Sequence, residues 1–265
     1  MTLDCLLRCL WGIIIREALR FFHQRERFFA ALVRPLIWLL VFAAGFRAGL
    51  GTTIIPPYET YITYEEYIVP GLVAMVQLFN GMQTSLSMVY DREMGSMRIL
   101  LVSPMPRWFL LFAKLLGGTV ISIIQVYTFL GIAALFDIKM PLIGYVAVFP
   151  SLIISGLMVG AFGMLLSSLV RQLENFAGIM NFVIFPTFFL SSALYPLWKM
   201  QESSQFLYLI CAVNPFTYAV ELIRFSLYGY LNWSSLFITL SWLFIVGLCA
   251  VLAFNPSRGM FNKGI

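Results

Sequence analysis

The stretch Met140–Val170, MPLIGYVAVFPSLIISGLMVGAFGMLLSSLV, contains no charged residue and no histidine. It is longer than the ~20 apolar residues that an α-helix needs to cross the hydrocarbon core of a bilayer. Backbone amides in hydrocarbon must be hydrogen-bonded within the segment, so this stretch is predicted to be a transmembrane helix. Gly156, Gly160 and Gly163 lie in a G-x-x-x-G-x-x-G spacing, which predicts close helix packing within one subunit or between two.

The rest of the chain is similarly apolar. Of the 265 residues, 61% are hydrophobic and 11% are charged, whereas soluble domains carry about 25% charged residues. The composition predicts an all-α polytopic membrane protein. Six transmembrane helices are predicted, because five further charge-free stretches are present: Pro35–Phe46 with its extension Phe28–Val33, Ile68–Tyr90, Leu115–Phe136, Asn175–Trp198 and Phe225–Ser257.

The segment before the last predicted span is ambiguous. Ser203–Val220 is also free of charge, but Pro215 interrupts it. Proline removes a helical hydrogen bond, and the residue before it avoids the helical conformation. We therefore interpret residues 199–231 as short helices that dip into the outer face of the membrane. A seventh span, formed if 203–223 crosses fully, is the alternative.

The basic residues indicate the topology. The net charge of +5 could suggest nucleic acid binding in a soluble chain, but in a membrane protein the placement of Lys and Arg matters more. With six spans and a cytoplasmic N-terminus, only four of the 17 basic residues lie in outer segments. This distribution predicts that both termini are cytoplasmic. The four outer residues are Arg47, Lys139, Lys199 and Arg224.

Residues 1–27 are predicted to form an amphipathic interfacial helix, and 28–265 form the transmembrane domain. Arginines recur at roughly helical spacing on one side of the helix, and apolar residues occupy the other. The helix could anchor the chain, transmit force from a cytoplasmic partner, or do both. The arginines are Arg8, Arg16, Arg20 and Arg27, and the apolar residues are Leu7, Trp11, Ile14, Ile15, Ala18 and Phe22.

The sequence contains no recognisable catalytic or cofactor site. It has no P-loop, no H-E-x-x-H, no G-x-S-x-G and no paired carboxylates. One histidine, His23, and four scattered cysteines make a poor zinc site, so Cys5, Cys9, Cys211 and Cys249 are interpreted as free thiols. The predicted spans carry no ionisable residue at mid-depth, which disfavours ion-coupled transport. Either energy comes from a partner chain or the protein is a passive pore.

Two polar segments are candidate functional sites. In the second span Gln77, Asn80, Thr84 and Ser87 recur every three to four residues and share one helix face. They could hydrogen-bond neighbouring helices, line a translocation path or form a dimer seam. The second segment is the cytoplasmic loop at about 90–108, DREMGSMRILLVSPMPRW over 91–108. It is long enough for a short helix that enters a partner's groove, or for an interfacial helix without a partner.

Three short motifs resemble the ABC-2 type exporter permeases. They are DREMG followed by LLVSPMP at 91–106, YIVPGL at 67–72, and NPFTY at 214–218 followed by Glu221 and Arg224. Their order and spacing match over nearly the whole chain. The drug, nodulation-factor and lipid exporters of the family are more similar than its capsule and O-antigen branch.

The resemblance implies a permease subunit of the bacterial inner membrane that pairs with a second copy and with two ATP-binding subunits, which would hold ATP and Mg²⁺. This chain would bind no cofactor itself. The cargo would be amphipathic or lipid-like; a non-transporting assembly subunit and a passive channel are the alternatives. The implied coupling residues are Asp91, Arg92, Glu93, Gly95, Arg98, Leu100, Leu101, Pro104 and Pro106. Residues 199–231 would be an outer re-entrant hairpin, with Asn214, Pro215, Tyr218, Glu221 and Arg224. At i, i+3, Glu221 and Arg224 could also simply form an ion pair.

Overall fold

The computed structural model describes residues 3–23, 25–46, 56–58, 63–95, 106–138, 140–170 and 172–254. All regular structure in these ranges is α-helical, as the composition predicts. The ten helices of the described residues are α1 (Leu3–His23), α2 (Arg25–Phe46), α3 (Tyr64–Glu93), α4 (Arg107–Leu135), α5 (Leu142–Leu169), α6 (Leu173–Phe189), α7 (Leu197–Ser203), α8 (Gln205–Val213), α9 (Pro215–Leu227) and α10 (Trp233–Ala253).

Helix α3 forms the centre of the fold. It contacts α2, α4, α5, α6 and α9, and every residue from Tyr67 to Met82 is buried. Its first turn is held by a capping box, in which the Thr63 hydroxyl accepts from the Glu66 amide and the Glu66 carboxylate accepts from the Thr63 amide. Because α3 is enclosed by protein along this stretch, it can carry polar side chains that a lipid-facing helix could not satisfy.

Glycines of α5 let this helix approach α3, α4 and α9 closely. On α5, a Cβ added at Gly156 would lie 2.9 Å from a Thr119 side-chain atom, and one at Gly163 would lie 2.4 Å from the Ser85 hydroxyl oxygen. The glycine spacing in α5 therefore serves packing inside one subunit, one of the two possibilities that the sequence left open. Gly144 is tighter still, since its added Cβ would lie 1.8 Å from the carbonyl oxygen of Leu227 in α9.

Three helices are long and apolar enough to span a membrane by themselves: Trp108–Leu135, Leu142–Leu169 and Trp233–Ala253. Helices α8 and α9 together would make a fourth if the bent pair is one span. The apolar stretch Leu32–Val41 of α2 and the helix α6 are shorter. Helix α3 has the length but carries several polar residues. The count of six spans therefore stays a prediction.

The segment that the sequence left ambiguous consists of short helices. Helix α6 ends at Phe189, earlier than the predicted end at Trp198, and a turn leads into α7. Helices α8 and α9 meet at a bend of 77°. Asn214 caps α9 and Pro215 is its first residue. The amide at that position has no partner within the helix, so a proline there costs no helical hydrogen bond. The interruption expected at Pro215 is thus present.

The approach of α5 to α9 generates a prediction. Replacing Gly144 by Ala should lower the thermal unfolding midpoint of the purified protein, because the new methyl group meets a backbone carbonyl that cannot move aside. Overpacking of this kind costs about 1–3 kcal/mol. The matched control is Gly131→Ala in α4, where an added Cβ meets nothing within 4 Å. The midpoints are measured by size-exclusion chromatography in detergent after heating to a series of temperatures. Equal midpoints for the two variants would contradict the close packing of α5 against α9.

Candidate functional site

The C-terminal end of α3 holds a buried carboxylate that three cations surround. Asp91 is 4% exposed. The Lys114 ammonium of α4 lies 2.6 Å from one carboxylate oxygen, and the Arg20 guanidinium of α1 lies 3.1 Å from the other. Arg16 lies 2.8 Å from Glu17 and 3.9 Å from Asp91. We call these five residues the inner charge cluster.

The inner charge cluster fastens α1 and α4 to α3. Lys114 is 3% exposed, so its charge is balanced by protein groups and not by water. Burial alone would raise the pKa of the Asp91 carboxyl, but the attraction of Lys114 and then of Arg20 outweighs it and the pKa lies below its ordinary value. Removing one partner of such a buried pair costs about 3–5 kcal/mol, because the other charge is left uncompensated.

Arg92, the next residue, binds a different helix. Its Nη2 donates to the carbonyl oxygens of Ser167 (2.8 Å) and Val170 (2.6 Å) at the end of α5. The last carbonyls of a helix have no partner within the helix, and a cation there also complements the helix dipole. Asp91 and Arg92 together therefore connect the start of the loop at 90–108 to α1, α4 and α5.

The other residues that the family resemblance assigns to coupling are described only in part. Glu93 is exposed, and Gly95 has a φ of 74° just beyond the end of α3, a conformation that glycine adopts without a Cβ clash. Pro106 precedes the first turn of α4 as its N-cap. Arg98, Leu100, Leu101 and Pro104 lie outside the described residues.

The polar stripe of α3 faces the interior of the subunit. Gln77 donates to the carbonyl oxygen of Leu152 (2.7 Å) and accepts from the Ser155 hydroxyl (2.6 Å), both in α5. Asn80 donates to the side-chain oxygen of Gln125 in α4. These contacts are the interhelical hydrogen bonds of the packing interpretation.

Thr84 and Ser87 continue the polar stripe, and their hydroxyls form hydrogen bonds to backbone carbonyls of α3 itself. Thr84 donates to the Asn80 carbonyl (2.9 Å) and Ser87 to the Thr84 carbonyl (2.8 Å). A cavity of ≈ 10 Å³ adjoins Gln77 and Thr84. It has room for about one water molecule, so this cavity offers no passage to a cargo.

At the other end of α3 a second charged group is buried. Arg224 of α9 is 2% exposed; it donates to the Glu221 carboxylate and to the carbonyl oxygen of Ser192 (2.8 Å). Its guanidinium carbon lies 4.1 Å from the centre of the Tyr67 ring, within cation–π range. The Tyr67 hydroxyl donates to the same Ser192 carbonyl (3.1 Å). The ion pair that the i, i+3 spacing suggested is present, and we call these four residues the outer arginine cluster.

Asn214 and Tyr218 stabilise the bend between α8 and α9. The Asn214 side-chain oxygen accepts from the Phe216 amide (3.0 Å), and its amide nitrogen donates to the carbonyls of Thr187 (2.8 Å) and Leu190 (2.6 Å). One side chain thus caps the start of α9 and the end of α6. The Tyr218 hydroxyl donates to the Ala212 carbonyl (2.8 Å). These residues have a structural role in the segment at 199–231.

The sequence predicted the pairing of Glu221 with Arg224, but not the other contacts of the two clusters. Lys114 and Arg20 were recognised only as basic residues, and the Ser192 carbonyl not at all. A lone lysine near the start of an apolar helix is a signal for a buried ion pair, but it does not identify the carboxylate. Across the described ranges, no three His, Cys, Asp or Glu side chains are grouped as a metal site needs. Cys9, Cys211 and Cys249 form no disulfide among the described residues.

Comparison with known proteins identifies the family of this chain. Residues 8–228 match the family described as ABC-2 type transporter. The chain is 31% identical over 233 residues to a putative transport permease, ycf38, of Cyanophora paradoxa, covering 82% of this chain and 76% of the relative. It is 28% identical over 227 residues to the ycf38 permease of Porphyra purpurea, covering 84% and 75%.

A bacterial relative is similar over a shorter region. The probable multidrug ABC transporter permease YbhR of Escherichia coli K12 is 32% identical over 163 residues, which cover 60% of this chain and 44% of the relative. The family match extends over most of the chain and includes both charge clusters. The chain therefore belongs to the ABC-2 type transporter family, as a permease-type membrane subunit of an ABC transporter.

Proposed function

We propose that this chain is the permease of an ATP-driven exporter and that it moves an amphipathic or lipid-like substrate outward by alternating access. The observation that carries the proposal is the attachment of the loop at 90–108 through Asp91 and Arg92. Two copies of a separate ATP-binding subunit would hold ATP and Mg²⁺ and would contact Arg98, Leu100, Leu101 and Pro104. Force applied to this loop would reach α1, α4 and α5 through bonds that are already made.

The proposed topology has six spans, formed by α2, α3, α4, α5, α6 and α10, with both termini in the cytoplasm. The inner charge cluster would then lie at the cytoplasmic face, and the outer arginine cluster at the opposite face. Helices α7 to α9 would form the outer re-entrant hairpin, an arrangement supported by the 77° bend at Asn214. The membrane would be the bacterial inner membrane.

A second copy of the chain is supported by the exposed face of α6. Among helices of the described residues, α6 packs mainly against α3, and Asn181 in its middle is exposed with no hydrogen bond in the part of the chain described. An unsatisfied amide in hydrocarbon is costly, whereas polar side chains commonly bond across helix interfaces in membranes. Aromatic side chains continue this face at Phe182, Phe185 and Phe189. We infer a homodimer that buries this face.

The cargo class follows from polarity and from a relative's name. The exposed face of α6 is largely aromatic and aliphatic, with a few amide and carboxylate groups at its cytoplasmic half. A surface of this kind suits a molecule with an apolar body and a polar end. The name of the E. coli relative indicates multidrug transport for that protein. A non-transporting assembly subunit and a passive channel are the competing functions.

Co-purification tests the function directly. The chain should be expressed with a candidate P-loop ATPase, sought first among the neighbouring genes. The complex should then be reconstituted in nanodiscs and assayed for ATP hydrolysis with a panel of lipids and drugs. We expect a stable complex whose hydrolysis rate rises with some members of the panel. A response that is flat across the panel would count against a lipid or drug cargo, and failure to form a complex would favour an assembly subunit or a channel.

Neutralising Asp91 should uncouple the complex. In Asp91→Asn we expect transport per ATP hydrolysed to fall by about tenfold or more, the scale of a coupling free energy of about 1–3 kcal/mol. The control is Asp137→Asn, which makes the same change in an exposed turn at the other end of α4. Asn tolerates the φ of 62° at that position.

A second variant separates coupling from stability. In the double variant D91N/K114M neither of the two paired charges remains, so part of the stability lost in D91N should return. We still expect it to be uncoupled, because α3 and α4 are no longer joined by an ion pair. Normal transport in either variant would show that Asp91 plays no part in coupling.

The dimer surface can be tested by cross-linking. In a background without the native cysteines, Asn181→Cys should form a disulfide between two copies in the membrane. The matched control is Phe244→Cys, which lies near the middle of α10 and is 72% exposed on a helix that packs against α5 and α9. Efficient cross-linking at 244 with none at 181 would assign the dimer to a different face.

A further inference from the structure

Helix α1 presents an apolar surface away from the protein. Leu7, Trp11, Ile15, Leu19 and Phe22 recur three to four residues apart, and each is exposed, Trp11 by 65%. A continuous apolar face of this kind on a helix with charges at its edges is typical of a helix that lies in a membrane interface. The structure refines the sequence expectation, since this face points outward, while part of the polar side packs against the protein.

The opposite side of α1 is packed against α4. Ile13 joins Leu110 and Ala113 in a small apolar cluster. Glu17 is 6% exposed, and its side chain approaches Gly117, where an added Cβ would lie 3.3 Å from it. The exposed apolar face is therefore held in a fixed direction by its attachment to α4.

The surface adjoins the bilayer. Helix α1 ends at His23 and α2 begins at Arg25, and α2 contains the apolar stretch Leu32–Val41. In a chain whose next helix enters the membrane, a helix joined to it by one residue cannot leave the membrane surface. The occupant of the apolar face is thus lipid and not a soluble protein.

Two arginines lie beside the apolar face. Arg8 and Arg16 are exposed and project from the same half of α1 as Trp11 and Ile15. Arg8 has no ion pair within the described ranges. The Arg16 side chain is 42% exposed and is shared between Glu17 at 2.8 Å and Asp91 at 3.9 Å. A guanidinium with this exposure can bind a phosphate oxygen while the helix stays in place, and arginine suits phosphate because it can donate two parallel hydrogen bonds.

We propose that α1 is a binding surface for anionic phospholipid, in which Arg8 and Arg16 bind the headgroup phosphate and the apolar face contacts the acyl chains. The partner is a lipid and not free phosphate, because five exposed apolar side chains adjoin the arginines. When Arg16 binds a lipid, Asp91 and Glu17 lose part of their neutralisation. Lipid occupancy then changes how firmly α1 is attached at the start of the cytoplasmic loop. This second step rests on the proposed export function; the binding itself does not.

The test uses the full chain with its ATP-binding partner in nanodiscs of phosphatidylcholine, with and without phosphatidylglycerol. Native mass spectrometry measures the retained phosphatidylglycerol, and ATP hydrolysis is measured in the same samples. We expect Arg8→Gln and Arg16→Gln each to weaken phosphatidylglycerol retention by about fivefold, the effect of one basic residue at an anionic surface. Only Arg16→Gln should also reduce the response of hydrolysis to phosphatidylglycerol.

The control is Lys199→Gln, which removes the same charge from α7 and should keep the wild-type retention. Inorganic phosphate should not displace the lipid. Unchanged retention in both arginine variants, or displacement by phosphate, would overturn the proposal. Arg8→Gln keeps the binding test interpretable if Arg16→Gln proves unstable. A complex that retains phosphatidylglycerol but hydrolyses no ATP in any lipid would contradict the export function and leave the binding surface standing.

Discussion

The central constraint on this fold is that α3 carries polar groups over its C-terminal half, from Gln77 to Asp91, and must be enclosed by protein. Gln77, Asn80 and Asp91 would each be unsatisfied in hydrocarbon. Helices α4 and α5 supply the partners for all three, and glycines in both helices let the backbones come close enough for short polar side chains to meet. Helices α5 and α10, which carry no charged residue, pack against each other beside this centre. Helix α3 is thus the part of the membrane domain that is least able to move independently of its neighbours.

The two ends of α3 differ in how easily their charges can be rearranged. In the outer arginine cluster Arg224 is almost fully buried and is held by Glu221, a backbone carbonyl and an aromatic ring. Breaking it would leave a charge in a medium of low dielectric constant, which is expensive. In the inner charge cluster Arg16 and Arg20 are partly exposed. Water or a lipid headgroup can therefore take the place of a carboxylate as the partner of either arginine at small cost. A rearrangement that begins at the inner charge cluster is therefore cheaper than one that begins at the outer arginine cluster.

Most helices could be predicted from the sequence, because a charge-free run of about 20 residues permits only a helix in a bilayer. The break at Pro215 and the Glu221–Arg224 pair were also readable, since both depend on neighbours within one turn. The partners of Asp91 were not, because Lys114 is 23 residues away and Arg20 is 71 residues away. No local pattern specifies which apolar helix will bring its single lysine to that carboxylate. For the same reason, the sequence could not show that part of the polar side of α1 faces inward. The coupling role of the loop residues between 96 and 105 stays a prediction.

In the proposed ATP-driven mechanism, Asp91 lies where force from the loop would enter the helices. A carrier driven by ions must bind them inside the membrane, whereas a permease driven by a separate ATPase needs only a stiff connection from its cytoplasmic surface to its spans. Asp91 and Arg92 provide such a connection in two adjacent residues, one binding α1 and α4 and the other binding the end of α5. Because the two side chains leave α3 next to each other, a displacement of the loop acts on all these helices at once.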